Sequence, residues 1–439
     1  MGNRSSVAPA VPLDGANEAL SIKQAFRRVF PGVMVAMFLA AADQTILASA
    51  LPTIASSLGG FADLSWVVVA YLLAATIAAP IYGHLGDRFG RRRMLLAALA
   101  IFTIASLACA AATTLTLLIA ARALQGLGGG GLMTLAQALM GEHVSPRERG
   151  RFAAYFATLF ALSSTTGPIL GAYLTEHVSW RAVFAINLPL GVIAAALALR
   201  IPHVAVARPR RFQPDIAGTA LFSLSTIALL FGLSSAGHRF PWLSWQLLLL
   251  LAGALIGYVL LVIWERRAVD PVIPVRALMI PAIVRSNAVV MCFAAALFST
   301  ILYLPLYLQL GRGLAIGQSG LLLLPITLSM VASASVTGRI IAKTGYVSIF
   351  PKYGLMFATA NALVLAVLLA RAPTWLVVAL TAGLGGGLGM VMPATQVTVQ
   401  LAAGRERLGS ATASIAVARA LGGAVGVAIV GAVLFTLIG

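Results

Sequence analysis

Asp43 stands near the middle of an apolar run of about 24 residues, within AADQTILASALPTI. An ionised carboxylate at the centre of a membrane-spanning helix costs about 2.5–3.5 kcal/mol on insertion scales, so something must compensate for it. Desolvation disfavours the ionised form, which suits a group that takes up and gives up a proton. An acid that only orders its neighbours by hydrogen bonding is the structural alternative. No other acid lies so deep, since Asp63, Glu176 and Asp215 fall near the ends of their runs. Arg122 is a second charge inside an apolar run. Gln125, Gly126 and Gly129 follow it at helical spacing, so a cation, an amide and two bare backbone patches share one face. A guanidinium stays charged wherever it is, and close to a carboxylate it opposes protonation of that group. Fixed bracing of backbone carbonyls is the other reading of Arg122. Arg419, in the last run, has the weaker claim of the two.

The segment GHLGDRFGRR places Asp87, Arg88 and Arg91 around two glycines, Gly83 and Gly90. A carboxylate and guanidinium groups at such a mouth can form ion pairs between helices that close one side and break when helices move. Ser163, Gly167 and Gly171, spaced by four, line one side of a run that also holds Pro168, so this helix is expected to bend and pack closely. Gly422 and Gly426 give a similar stripe, read as ordinary packing. Gly126, Gly128 and Gly131 satisfy Gly-x-Gly-x-x-Gly, but no strand precedes them, and no Gly-x-x-x-x-Gly-Lys-[Ser/Thr] occurs. ATP is therefore not the expected energy source. Cys109 and Cys292 sit apart in apolar runs and the five histidines lie near run ends or in connections, which argues against a metal, a disulfide framework or an enzyme. No cofactor is expected, and an ion gradient remains as the driving force.

The elements that must position these residues follow from composition. The chain is 60% hydrophobic and 10% charged, against roughly 25% charge in a soluble domain. Thirteen apolar runs read as spanning helices, at about 31–54, 62–83, 94–114, 116–140, 152–175, 181–200, 215–235, 242–264, 283–308, 317–338, 349–370, 374–397 and 409–437. Runs that are apolar on every face exclude a β-barrel. The formal charge of +18 raises the question of nucleic acid. Its placement answers it, because about 24 of the basic residues fall in the N-terminal tail and in every second connection, as the positive-inside rule expects. The N-terminus is thereby assigned to the cytoplasm, and no nucleic-acid partner is expected. Gly83 to Gly90 repeats as Gly338 to Gly345, with Ala342 in place of the acid, so the chain is read as two related halves. Residues 1–29 form a disordered cytoplasmic tail, 30–200 a six-helix bundle, 201–281 two inserted spans, and 282–439 a second bundle of five helices whose last span is missing.

Taken together, these residues resemble the major facilitator superfamily, and within it the fourteen-span drug:proton antiporters. The Gly83 to Arg92 segment is similar to the signature loop between spans two and three. ARALQGLGGG from Ala121 resembles the fourth-span motif, SSTTGPILGAYL from Ser163 the antiporter motif of span five, AADQTILASALPTI the first-span motif, and SWRAVFAINLPLG from Ser179 that of span six. Ala48 and Ala172 depart from the usual Asn and Gly. The resemblance implies proton-coupled export of small amphipathic or cationic compounds across the cell membrane by rocking of two bundles. In it Asp43 and Arg122 form the proton-transfer pair, residues 83–91 the latch, and Gly167, Pro168 and Gly171 a seal against proton leak. A dedicated exporter of one metabolite or antibiotic, and a non-transporting degenerate member, are the alternatives. The expected partners are a small-molecule substrate, protons and the bilayer, and a periplasmic adaptor is left open. Trp66, Tyr71, Gln125, Tyr303, Tyr307 and Gln396 are the candidate substrate contacts.

Overall fold

A computed structural model describes residues 27–59, 64, 66–144, 149–202, 215–236, 240–268, 270–273, 275–313, 322–368, 371–404 and 407–438. The expected N-terminal tail lies almost wholly outside these residues. The protein is all-α. The first helices are α1 (Phe30–Leu58), α2 (Trp66–Phe89), α3 (Arg91–Ala110), α4 (Leu115–His143), α5 (Arg149–His177), α6 (Ala182–Ala185) and α7 (Asn187–Ala198). Then come α8 (Ile216–Ser235), α9 (Trp245–Glu265) and the short α10 (Val275–Leu278). The last are α11 (Pro281–Arg312), α12 (Leu324–Thr344), α13 (Ile349–Leu368), α14 (Thr374–Gly389), α15 (Val391–Ala403) and α16 (Leu408–Ile438). Among the described residues, eleven helical segments are long and apolar enough to cross a membrane. The two remaining expected spans are α5, which is long but rich in Ser and Thr, and the shorter stretch Ala182–Ala198. Each expected span thus corresponds to a helix, except that the sixth and twelfth are broken, at Ile186 and at Met390.

Local chemistry sets the ends. Thr114, Asp215 and Ser244 accept hydrogen bonds from the backbone of Leu117, Gly218 and Leu247, capping α4, α8 and α9. The two repeated loops close on glycines with φ of 96° at Gly90 and 75° at Gly345, a region in which side chains are disfavoured.

In the first bundle α4 packs on both α2 and α3, and α1 on α5 and α7. In the second, α11 packs on α16, and α14 on both α12 and α13. The bundles meet where α5 lies against α12 and α2 against α16. The second helix of one bundle therefore faces the fifth of the other, and the reverse, as the internal repeat requires. α8 and α9 pack on each other, joined by a 3.0 Å hydrogen bond between Thr226 and Tyr258, and α8 touches α2 and α16. Only 17% of α9 is buried, which leaves its Leu-rich surface for lipid.

Small residues allow the closest approaches. A side chain at Gly167 would strike Thr45, and one at Gly171 would strike Ile46 and Ser49, so α5 lies directly on α1 two residues from Asp43. Thr45 Oγ1 donates to the Ser163 carbonyl across this seam at 2.9 Å. Gly167→Val should separate the helices and cost about 1–3 kcal/mol through overpacking. Leu162→Val, at a position 55% exposed on the same helix, should leave stability unchanged. Thermal unfolding in detergent measures both.

Candidate functional site

The apolar interior of the first bundle encloses a connected set of polar side chains drawn from five helical elements. Asp43 on α1 and Arg122 on α4 are each 1% exposed and form an ion pair, with Arg122 Nη1 2.6 Å from Asp43 Oδ2. Gln125 Nε2 donates to Asp43 Oδ1 at 2.9 Å, and Asn187 Nδ2 of α7 donates to the same oxygen at 2.8 Å. Gln125 Nε2 also donates to Ser106 Oγ of α3 at 2.8 Å, while Gln125 Oε1 accepts from Arg122 at 2.6 Å. Arg122 Nε donates to the Val67 carbonyl of α2 at 3.1 Å, and its guanidinium lies 4.3 Å above the Tyr71 ring. Such a network is stable only when every member has a partner. All three contacts to Asp43 come from nitrogens that can only donate, so the arrangement suits an ionised carboxylate.

A second constellation joins the bundles at the end of the helices that carries the basic loop. Asp87 Oδ1 accepts from Gly409 N at 2.9 Å, and Asp87 Oδ2 from Ser410 N at 3.0 Å and Ser410 Oγ at 3.2 Å. The two backbone donors are first-turn N–H groups of α16, which have no partner within their own helix. Arg91 holds Asp87 at 2.6 Å and reaches Glu142 at the end of α4 at 2.7 Å. Gly83 sits against the Gly409 backbone, where any side chain would clash. Arg88 turns away from this seam. It pairs at 2.6 Å with Asp270, in the connection after α9, and His84 lies 3.6 Å from the same acid.

Among the cavities between the bundles, two have an arginine in the wall. One, of about 80 Å³, is lined from α1, α4 and α5 on one side and from α11, α12, α14, α15 and α16 on the other, with Arg419, Gln137 and Gln396 in its wall. The other, of about 350 Å³, is bounded by α2, α8 and α16, with Gln44, Tyr71, Thr76 and Arg122 in its wall.

The expected substrate contacts divide accordingly. Tyr71 and Gln396 face cavities. Gln125 instead belongs to the Asp43 network, because its amide is the partner that both charges share. Trp66 packs against Phe231 of α8 with the rings tilted by 31° and their centres 5.3 Å apart. Tyr303 donates to the Val427 carbonyl at 3.0 Å and so ties α11 to α16, and Tyr307 packs inside the second bundle. Asp43 is enclosed by its donors and lines neither cavity. Asp43 and Arg122 are brought together, as are Gly83, Asp87 and Arg91 at the seam, whereas Arg88, expected in the same latch, is directed to Asp270 instead. The Pro168 side chain lies outside the described residues. Asn187, Ser106, Glu142, Asp270 and Ser410 were not singled out. Asn187 lies inside the sixth-span motif, which was a usable signal.

The fold and the sequence agree on the family. The model of the major facilitator superfamily matches residues 33–427, and the chain belongs to that superfamily. It is 33% identical over 406 residues to the multidrug transporter protein MdtP of Bacillus subtilis, covering 92% of this chain and 74% of that one. It is 39% identical over 325 residues to the efflux pump dotC of Dothistroma septosporum, covering 72% of this chain and 54% of that pump's length. The crystal structure of the human organic anion transporter MFSD10 shares the fold, with a TM-score of 0.68 at 19% identity and 93% of both chains covered.

If Asp87 holds the bundles together at α16, a reporter buried behind it gains access when the cap is lost. In a Cys292→Ala background, Ala413→Cys, beside Gly83 and fully buried, should react with a maleimide at least tenfold faster once Asp87→Ala is added. That rise corresponds to a cap worth more than about 1.4 kcal/mol, within the range for hydrogen bonds to a charged group. Asp270→Asn should leave the rate unchanged.

Proposed function

We infer that the protein is a proton-coupled exporter of the fourteen-span drug:proton antiporter type, moving small amphipathic compounds outward across the cytoplasmic membrane. The reading places the N-terminus and the Asp87 seam on the cytoplasmic side, as the positive-inside pattern suggests. The proton gradient supplies the energy, and no cofactor is invoked. Family membership and relatives named as a multidrug transporter and an efflux pump support the export half of this reading.

The observation that carries the proton half is the enclosure of Asp43 by three donor nitrogens, one of them charged. Adding a proton to this carboxylate removes the charge that its donors face, and the Arg122 guanidinium is left buried without its counter-charge. Protonation and movement of α4 relative to α1 are therefore coupled. The same helix carries Glu142, whose pairing with Arg91 orients the Asp87 cap. Arg122 and Glu142 are 20 residues apart on α4, about 30 Å along a helix, so α4 links the proton site rigidly to the seam. Protonation of Asp43 from outside and release of that proton to the inside, with the seam closed in one state and open in the other, gives alternating access.

Everted vesicles test this. Wild-type protein should collapse an imposed pH gradient when a transported dye is added, and Asp43→Asn should reduce that response at least tenfold while remaining folded. An undiminished response in Asp43→Asn would remove Asp43 as carrier. Arg122→Ala leaves the acid alone and should lose about 3–5 kcal/mol of stability. Pairing Asp43→Asn with Arg122→Gln should restore most of it, read by thermal unfolding.

A further inference from the structure

Arg419 is the one charged residue in the wall of the cavity that both bundles line, among the described residues. It forms no ion pair there, and the ion pairs that do occur lie elsewhere. Asp43, the acid nearest the middle of an apolar run, is already held by Arg122, Gln125 and Asn187. A guanidinium cannot discard its charge as a lysine can. The first bundle thus neutralises its deep arginine internally, and the second does not. Arg122, the only charged residue in the wall of the larger cavity, is likewise a cation. Neither wall offers a carboxylate to a cationic compound.

We propose that the central cavity takes amphipathic anions, with Arg419 as the counter-charge for a carboxylate or similar head group. Gln137 and Gln396 face the same space and add donors that fix its orientation. The apolar part of the molecule lies against Met37, Met133, Met330 and Met392, whose flexible thioethers adapt to different shapes. Charge of the cargo is then set by one residue, and its shape is left permissive. The idea rests on the export reading for its physiological sense but not for its test. It replaces the expected cationic cargo with an acidic one. An anion leaving a negative interior while a proton enters moves with the membrane potential in both legs.

The test is binding to detergent-purified protein, followed by fluorescence anisotropy, of a naphthyl carboxylate, its primary amide and the amine of the same skeleton. Wild type should bind the carboxylate at least tenfold tighter than the amide, and the amine weakest. Arg419→Gln should bring carboxylate and amide within about twofold while amide binding persists, and Arg419→Lys should keep part of the preference. The persisting amide binding and the lysine variant guard against a misfolded protein. Equal or inverted affinities in wild type, or an unchanged preference in Arg419→Gln, overturn the proposal. An anionic phospholipid added as competitor separates two sources of such an anion. Displacement adds lipid head groups to the cargo, and no displacement confines it to free carboxylates. Selective binding without proton-coupled transport in vesicles would uphold the cavity assignment and remove the antiport reading instead.

Discussion

Asp43 and Arg122 meet at 2.6 Å, each only 1% exposed, and the first bundle is built around keeping both satisfied. Breaking such a pair by removing one partner is far costlier than any exposed ion pair would be, because the survivor stays buried. Further contacts come from several elements. Ser106 comes from α3, Asn187 from α7, Val67 and Tyr71 from α2, and Gln125 sits one turn from Arg122. The network therefore fixes the mutual placement of these helices, and a change in the charge of Asp43 is felt by all of them. A proton is the one cargo able to make that change without any space being opened for it.

Polar side chains span these gaps only because the backbones come close. Gly126 and Gly130 let α4 rest on the α2 backbone, Gly128 lets it rest on Phe102 of α3, and Gly167 and Gly171 let α5 rest on α1. In lipid, where helices gain little from hiding apolar surface, such close packing is a main source of association. The second bundle uses the same device, with Gly422 and Gly426 of α16 against α11. It differs in its charge, since Arg419 meets the cavity rather than an acid. The asymmetry is between a bundle that pairs its deep arginine with an acid and a bundle that presents a charge to the space between them.

Much of this was legible in the sequence for a physical reason: an ionisable residue in a long apolar run is costly enough to stand out. That singles out Asp43, Arg122 and Arg419, and the repeated glycine-bounded loop marks the seam. Spans were legible because length and apolarity suffice to define them. What escaped was of lower contrast. Ser106 and Asn187 are neutral polar residues in apolar runs, where a hydrogen bond to the preceding turn is usually partner enough. Glu142 and Asp270 fall at helix ends, where an acid looks like ordinary surface. The directions of Trp66, Tyr303 and Tyr307 could not be read because runs that are apolar all round carry no moment to orient them. The break at Met390 left no mark, since both halves of that span are apolar and a glycine-rich approach to it is common in membrane helices.

The central claim is that the charge on Asp43 sets whether the bundles are joined at the seam. Spin labels on α2 and α16 flanking the Gly83 and Gly409 contact, with distances recorded by pulsed electron resonance across a pH series, test it without any cargo. The account predicts two distance populations in wild type whose ratio shifts with pH, and in Asp43→Asn a ratio that pH no longer moves. A pH-dependent shift of the same size in Asp43→Asn would place the switch on another group and contradict the account.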